Sequence, residues 1–403
     1  MQITVIGAGL IGITTAWYLA RAGHQVSVIE RNSGPALEAS FANGGQIATG
    51  HSVPWSQPQA ITQIMRWLGK EDAPLLWRLN SDASFWRWGI SFLAACAPQA
   101  SKNNTLAILR LALDSRVCLQ EMRNLLDLEY DQRDAGILHF YTQQNSQSLG
   151  FQQAQLMNEN GSERFTKNAE QCLQIEPALQ FSEKEIIGGV FTPADESGDA
   201  FKFCLLLAEH CAQMGVRFIY NQSVRLLNSR GLRIINAELD DSRSWHADAW
   251  VVAMGSWSRQ ILLPLGINLP IVPCKGYSLT FKLNPNSVAP NVSLTDDERK
   301  LVFSRLGNRL RVAGMAEFNG FDYEITPTRV HLINERVYQL FPQLQSDEPA
   351  EIWSGLRPLT PNNLPIIGKS RYQNLYLNCG HGTLGWTLAC GSAQQLTRLY
   401  FES

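Results

Sequence analysis

The hydrophobic pattern changes period twice within the first thirty residues. Ile3 to Ile6 is a short β-branched run, the pattern of a strand buried on both faces. Ile13 to Arg21 follows at helical spacing and stops at Gly23, a C-terminal signal. Gln25 to Ile29 is a second strand, closed by Glu30. Farther along, a helix and then strands are predicted over 199–221, 224–227, 233–239 and 249–254. The last of these ends at Gly255, as a chain does on returning to a nucleotide-binding sheet. A strand over 374–379 and a helix over 386–399 close the sequence. Two long insertions separate these returns. The first, 55–194, is helix-rich, with an unbroken stretch over 106–126. The second, 264–350, is strand-rich (277–281, 301–305, 310–314) and is entered through Pro264, Pro270 and Pro273. The pattern predicts an α/β fold. A Rossmann-like domain would be assembled from 1–54, 195–263 and 351–403, and a discontinuous α+β substrate domain from 55–194 and 264–350.

The turns carry the chemistry. Between the first strand and helix stands Gly7-Ala8-Gly9-Leu10-Ile11-Gly12. Gly7 makes the tight turn, Gly9 lets backbone approach a pyrophosphate, and Gly12 lets the helix pack closely on the strand. The helix N-terminus offers N–H groups and a positive dipole, and Glu30 can accept from ribose hydroxyls. Gly380-His381-Gly382-Thr383-Leu384-Gly385 repeats the pattern formally. Only eighteen residues follow it, too few for a second βαβ unit. Its N–H groups therefore face an electron-rich part of the same ligand, as a flavin's pyrimidine edge would be. With no second dinucleotide fold, electrons enter from an organic substrate.

Composition narrows the classes. A chain 45% hydrophobic and 17% charged is not intrinsically disordered. Its 34 Lys+Arg against 36 Asp+Glu leave a net charge of −2, without the basic footprint of a nucleic-acid binder. The eight cysteines form no CxxC pair and read as reduced, mostly buried thiols. The seven histidines are scattered, and no metal motif or hydrolase triad stands out. The uncharged start, Met1 to Ala20, lacks a basic n-region and is too glycine-rich for a spanning helix, so no targeting segment is expected. Trp55, Trp67, Trp77, Trp86 and Trp88 crowd one segment. They suit either core between domains or a face toward a bilayer or quinone entrance. The local charges, Arg66, Lys70, Arg78 and Arg87 against Glu71, Asp72 and Asp82, supply no basic face.

Several stretches together resemble the FAD-dependent D-amino acid dehydrogenases, within the glycine oxidase and D-amino acid oxidase superfamily. They are AWYLARAGHQVSVIER, SFANGGQI, PADESGDAFKF, PCKGYSLTF, RVAGMAEFNGF, WSGLRPLTPNNLPIIG and NLYLNCGHGTLGWTLACGS, in family order across almost the whole chain. The resemblance implies a glutathione-reductase-like FAD domain and oxidative deamination of a D-amino acid to a 2-oxo acid and ammonia. The hydride would pass from Cα to flavin N5, and the electrons onward to a quinone. It implies a peripheral protein on the cytosolic side of the inner membrane. Arg357 matches the carboxylate-binding arginine, Tyr277 is a second donor, and His51 falls in the substrate region. The expected cofactor set is Gly7, Gly9, Leu10, Ile11, Gly12, Glu30, Arg31, Ser40, Asn43, Gly44, Gly45, Gln46, Val224, Gly255, Gly382, Thr383, Leu384 and Gly385. Covalently flavinylated relatives carry a cysteine in the region matching 353–358. This chain has none there, so the FAD is expected to be non-covalent. His381 is expected to cap a helix or to support another residue. Two departures are the absence of a longer C-terminal tail and the His51-Ser52 pair, where a TGY-like stretch is the family pattern. An amino or imino acid oxidase (glycine, N-methyl amino acids, proline, D-hydroxyproline) remains compatible. So do an FAD module acting on modified tRNA, which net −2 disfavours, and a flavin sensor without turnover.

Overall fold

A computed structural model describes residues 1–78 and 82–402. The chain opens as its pattern predicts, with β1 (Gln2–Ile6), α1 (Leu10–Arg21) and β2 (Gln25–Ile29). Helices α2 (Ala60–Trp67), α3 (Ala83–Ala95) and α4 (Pro98–Leu126) follow, then β3 (Ile137–Tyr141), β4 (Phe165–Asn168) and β5 (Gly188–Thr192). The chain returns through α5 (Ala200–Gln213), β6 (Arg217–Ile219) and β7 (Ala249–Val252). The second insertion supplies β8 (Val272–Lys282), β9 (Ser293–Asp296), β10 (Leu301–Leu306), β11 (Arg309–Phe318) and α6 (Pro327–Leu340). Then come β12 (Glu351–Leu359), β13 (Ile366–Lys369), β14 (Leu375–Cys379) and α7 (Gly385–Tyr400).

Two sheets organise these elements. The first runs β13-β14-β7-β1-β2-β6, parallel except for the β13–β14 pair. Its strands are buried on both faces, which explains their β-branched runs. Gly12 sets how closely α1 lies on this sheet, since a Cβ there would stand 1.8 Å from the Gly7 carbonyl oxygen. Gly7 itself sits at φ +104, where a side chain would be strained. The second sheet runs β12-β8-β11-β10-β9-β3-β5-β4 and is mainly antiparallel. Helix α6 covers one face with Ile333, Val337 and Leu340, packed among Leu279, Phe281 and Val312.

Two domain boundaries differ from the sequence expectation. Residues 351–359, placed with the nucleotide-binding part, form the edge strand of the second sheet, because β12 pairs antiparallel with β8 along nine residues. Helix α4, placed in the substrate domain, starts at Pro98 and buries Cys118, Leu119 and Met122 in the core around α1 and α7. All eight cysteines are buried and free. Of the five clustered tryptophans, Trp88 is fully buried and Trp55 and Trp77 pack against the same cluster, whereas Trp86 is 55% exposed.

Candidate active site

The carboxyl ends of β1, β2, β7 and β14 open on one cavity of about 960 Å3, at the top of the usual range for small-molecule sites. Gly7, Gly9, Leu10 and Ile11 line one end of it, with Glu30, Arg31, Ser40, Val224 and Gly255. At the first turn of α1 the Leu10 N–H donates to Ser40 Oγ (3.2 Å), and Gly9 provides no side-chain cap. The remaining first-turn N–H groups have no acceptor within the helix. A Cβ on Gly9 would meet only Ser40 Oγ, at 3.7 Å, so the space above it is open. Glu30 accepts from the Ala8 N–H (2.7 Å) and from the Asn32 N–H (2.9 Å). Arg31 lies over the Trp257 ring, 4.2 Å from its centroid, and pairs with Glu38. Glu38 also accepts from the Tyr323 hydroxyl (2.8 Å). An open glycine cradle, helix N–H groups and a carboxylate in the cavity wall fit a dinucleotide.

The second glycine turn meets the same cavity through Gly382, Thr383, Leu384 and Gly385. His381, which precedes them, is buried and does not cap the helix. Its Nε2 bonds Ser392 Oγ (3.0 Å), and its Nδ1 has no partner. Burial pushes its pKa down to about 3, so the ring is neutral. Asn43, Gly44 and Gln46 also line the cavity. Asn43 Oδ1 accepts from the Gly45 N–H, and Gln46 Nε2 donates to Ser293 Oγ, joining the loop to β9. Gly12 and Gly45 do not reach the cavity. Gly12 is consumed by helix–strand contact, and Gly45, at φ +81, is pressed against Ser304.

The β12–β8 register decides what faces the middle of the cavity. Cys274, Gly276 and Ser278 stand opposite Arg357, Gly355 and Trp353, so these six residues share one face of the sheet. Arg357 donates from Nη1 to the Met315 carbonyl (2.6 Å) and from Nη2 to the Gly314 carbonyl (3.3 Å). Among the described residues it has no carboxylate partner, and burial lowers its pKa. Gly276 makes room for it, since a Cβ there would lie 2.3 Å from the guanidinium carbon. The cavity thus holds a half-buried cation, fixed by two backbone carbonyls and unpaired with any carboxylate among the described residues.

Tyr277 also touches the cavity wall, but its hydroxyl is turned away from it. It alternates onto the opposite face, is 1% exposed, and donates to Glu317 Oε2 (2.6 Å). Lys275 is on that face too, 3.7 Å from Glu317 and 2.5 Å from Asp322. The expected second donor is therefore a core residue, and the Lys-Gly-Tyr stretch contributes its glycine to the site.

His51 lies at a third, polar region of the cavity wall with His139, Asp297, Arg164 and Lys300. Asp297 Oδ2 is 2.8 Å from His139 Nδ1, and Oδ1 is 3.8 Å from His51 Nε2. Burial pushes His51 down to about 3, against the upward pull of Asp297. The same imidazoles hold Asp297 well below the usual carboxylate range despite its burial. Sequence reading missed His139 and Asp297, which lie far from His51 along the chain and share no motif with it. It also missed Gly276 as the residue that seats Arg357.

A family model described as FAD dependent oxidoreductase (DAO) matches residues 2–399. The chain is 49% identical over 403 residues to a D-amino acid dehydrogenase of Dechloromonas aromatica (strain RCB), covering 99% of this chain and 96% of that protein. It is 45% identical to a D-amino acid dehydrogenase of Paramagnetospirillum magneticum, covering 98% and 93%. Among solved structures, glycine oxidase from Bacillus cereus ATCC 14579 superposes with a TM-score of 0.76 at 20% identity, covering 99% and 94%. L-proline dehydrogenase from P. horikoshii does so with 0.76 at 16%, covering 100% and 93%. At these identities the two structures speak for the fold.

Proposed function

We infer, because the chain belongs to the DAO family of FAD-dependent oxidoreductases, that it oxidises D-amino acids to 2-oxo acids and ammonia with FAD as its cofactor. The observation that carries the site assignment is Arg357, a half-buried guanidinium that faces the cavity, donates to two carbonyls and has no carboxylate partner among the described residues. A planar fork of this kind takes a substrate carboxylate in two parallel hydrogen bonds. The amino acid is thereby fixed at one end, and most of the acceleration comes from orientation. Gly276 and Gly355 leave the floor beneath the substrate free of side chains. His51, on the polar wall, would meet the substrate's side chain. Bound FAD supplies the acceptor for the two electrons and the hydrogen leaving Cα. The amine also loses a proton, and water converts the resulting imino acid to the 2-oxo acid and ammonia. The cofactor would rest on Gly7, Gly9, Leu10 and Ile11, Glu30 and Gly382 to Gly385 without a covalent bond, so acid precipitation should leave the yellow colour in solution.

For the electron acceptor we favour a quinone reached at a membrane surface. Among the described residues no helix is long and apolar enough to cross a bilayer. Helices α2 and α3 each turn an apolar stripe outward, Ile61, Met65 and Leu68 on or just beyond α2, and Trp86, Ile90 and Leu93 on α3. Cavity-lining Gln63, Ile64 and Trp67 belong to the same α2. Peroxide released in step with turnover would instead identify an oxidase.

The decisive test is the anaerobic visible spectrum of the purified protein. Bleaching by D-alanine but not by L-alanine or L-proline is expected. Arg357→Leu should keep its flavin while kcat/KM falls roughly 10²–10³-fold, the loss of about 3–4 kcal/mol from one charged, bidentate contact. Normal oxidation by this variant would remove Arg357 from the assignment.

A further inference from the structure

The reaction above does not use the carboxylate at the polar wall. His51, on the turn Thr49–His51, His139, on β3, and Asp297, just after β9, each bring one ligating atom to within 4.8 Å of the other two. The imidazole rings stand 5.0 Å apart and are inclined at 66°. The contact of Asp297 with His139 Nδ1 fixes the tautomer. In a neutral ring, a carboxylate contact places the proton on Nδ1 and leaves the lone pair on Nε2. That Nε2 is buried, His139 being 2% exposed, and it has no hydrogen-bond partner. An ion held by Asp297 and this ring together takes the place of that Nδ1 proton, so His139 ligates through Nδ1 and its ring proton moves to Nε2.

The neighbouring charges leave this set available. Glu298 is occupied by the Thr142 and Gln143 N–H groups and Asp296 by Arg336. Arg164 donates to Thr192 Oγ1. Arg164 and Lys300 face the cluster and disfavour a hard cation bound by charge alone. Two imidazoles with one carboxylate instead favour a borderline ion, such as Zn2+, Ni2+ or Cu2+, over Mg2+ or Ca2+. Bonds of about 2.0–2.2 Å place tetrahedral Zn2+ ligands roughly 3.4 Å apart, within reach of small side-chain rotations from the separations found.

We propose that His51, His139 and Asp297 bind one divalent transition-metal ion of the Zn2+ class in the wall of the substrate cavity. Its open coordination positions face the space an amino acid occupies, so the bound ion inhibits turnover competitively. The binding stands independently of the amino acid oxidation reading, whereas the inhibition rests on it.

Equilibrium dialysis of the tag-free, flavin-loaded protein against ZnCl2 tests the site directly. One equivalent per chain is expected, with affinity at least tenfold weaker in His139→Gln and in Asp297→Asn. Zn2+ should raise KM for the amino acid in the parent protein and leave kcat unchanged. Absence of bound Zn2+, or equal binding by parent and variants, overturns the site. Binding without a change in KM overturns the inhibition. Should either variant lose its flavin, the Cu2+ electron paramagnetic resonance spectrum of the unaltered protein decides. Hyperfine splitting from two imidazole nitrogens supports the site, and a spectrum without it overturns the site.

Discussion

Single atoms decide most of what this cavity can do. Adding a methyl group at Gly276 would place carbon 2.3 Å from the Arg357 guanidinium carbon. Gly276→Ala should therefore keep the flavin and lower kcat/KM by roughly 10²-fold, as a displacement of about 1 Å at a reacting geometry does. Steady-state kinetics beside the flavin absorbance would show it. His381 makes a pH prediction. Its folded pKa of about 3 lies below the ordinary value near 6.5, so the unfolded chain takes up the proton first. Its contribution to stability is complete above pH 6.5 and is lost as pH falls toward 3. Between pH 6.5 and 5 the loss is about 2 kcal/mol, and His381→Gln should remove that portion of the acid sensitivity in denaturant titrations.

At the scale of elements, the two central glycines of the first turn have separable duties. Gly12→Ala would drive carbon against the Gly7 carbonyl, forcing α1 off β1, and should cost at least about 2 kcal/mol and the flavin with it. Gly9→Ala meets only Ser40 Oγ, so the apoprotein should melt normally while flavin affinity falls. Melting curves with flavin content measured on the same samples separate the two. This turn was legible in sequence because its chemistry is local: strand period, glycine spacing, helix period and acid follow one another within thirty residues. Three strands of the second sheet, β8, β10 and β11, were likewise visible, though β8 extends farther than expected, from Val272 to Lys282, whereas β3, β4, β5, β9 and β12 were not predicted. Their partners were not visible. A strand pattern carries no record of the strand it pairs with, which is why 351–359 was assigned to the other sheet. The same limit misplaced Tyr277, because alternation fixes which residues share a face and only the register with β11 and β12 shows which face holds the cavity. His139 and Asp297 were invisible for a stronger reason, as they meet His51 only after three separate segments have packed.

For the whole molecule, the outward stripes on α2 and α3 have the spacing of a buried helix face, yet Ile61, Met65, Leu68, Ile90 and Leu93 stand exposed among the described residues. If they rest on a bilayer, Met65→Ser with Ile90→Ser and Leu93→Ser should move the protein from the pellet to the supernatant when it is sedimented with lipid vesicles. Oxidation of the amino acid with a soluble dye should persist, because Ile90 and Leu93 lie outside the cavity lining. Equal sedimentation of parent and variant would remove the membrane assignment.

The order of strands in the first sheet also governs when the protein can be made whole. β1 lies between β2 and β7, so residues 2–6 wait for 249–252, and β7 in turn waits for 375–379. A nascent chain emerging from the ribosome therefore carries its glycine turn exposed for most of its synthesis, with long loops to close before the sheet is complete. Flavin capture must be among the last events of biosynthesis. Chains arrested before about residue 380 would emerge colourless and with open strand edges, as ready substrates for chaperones and proteases.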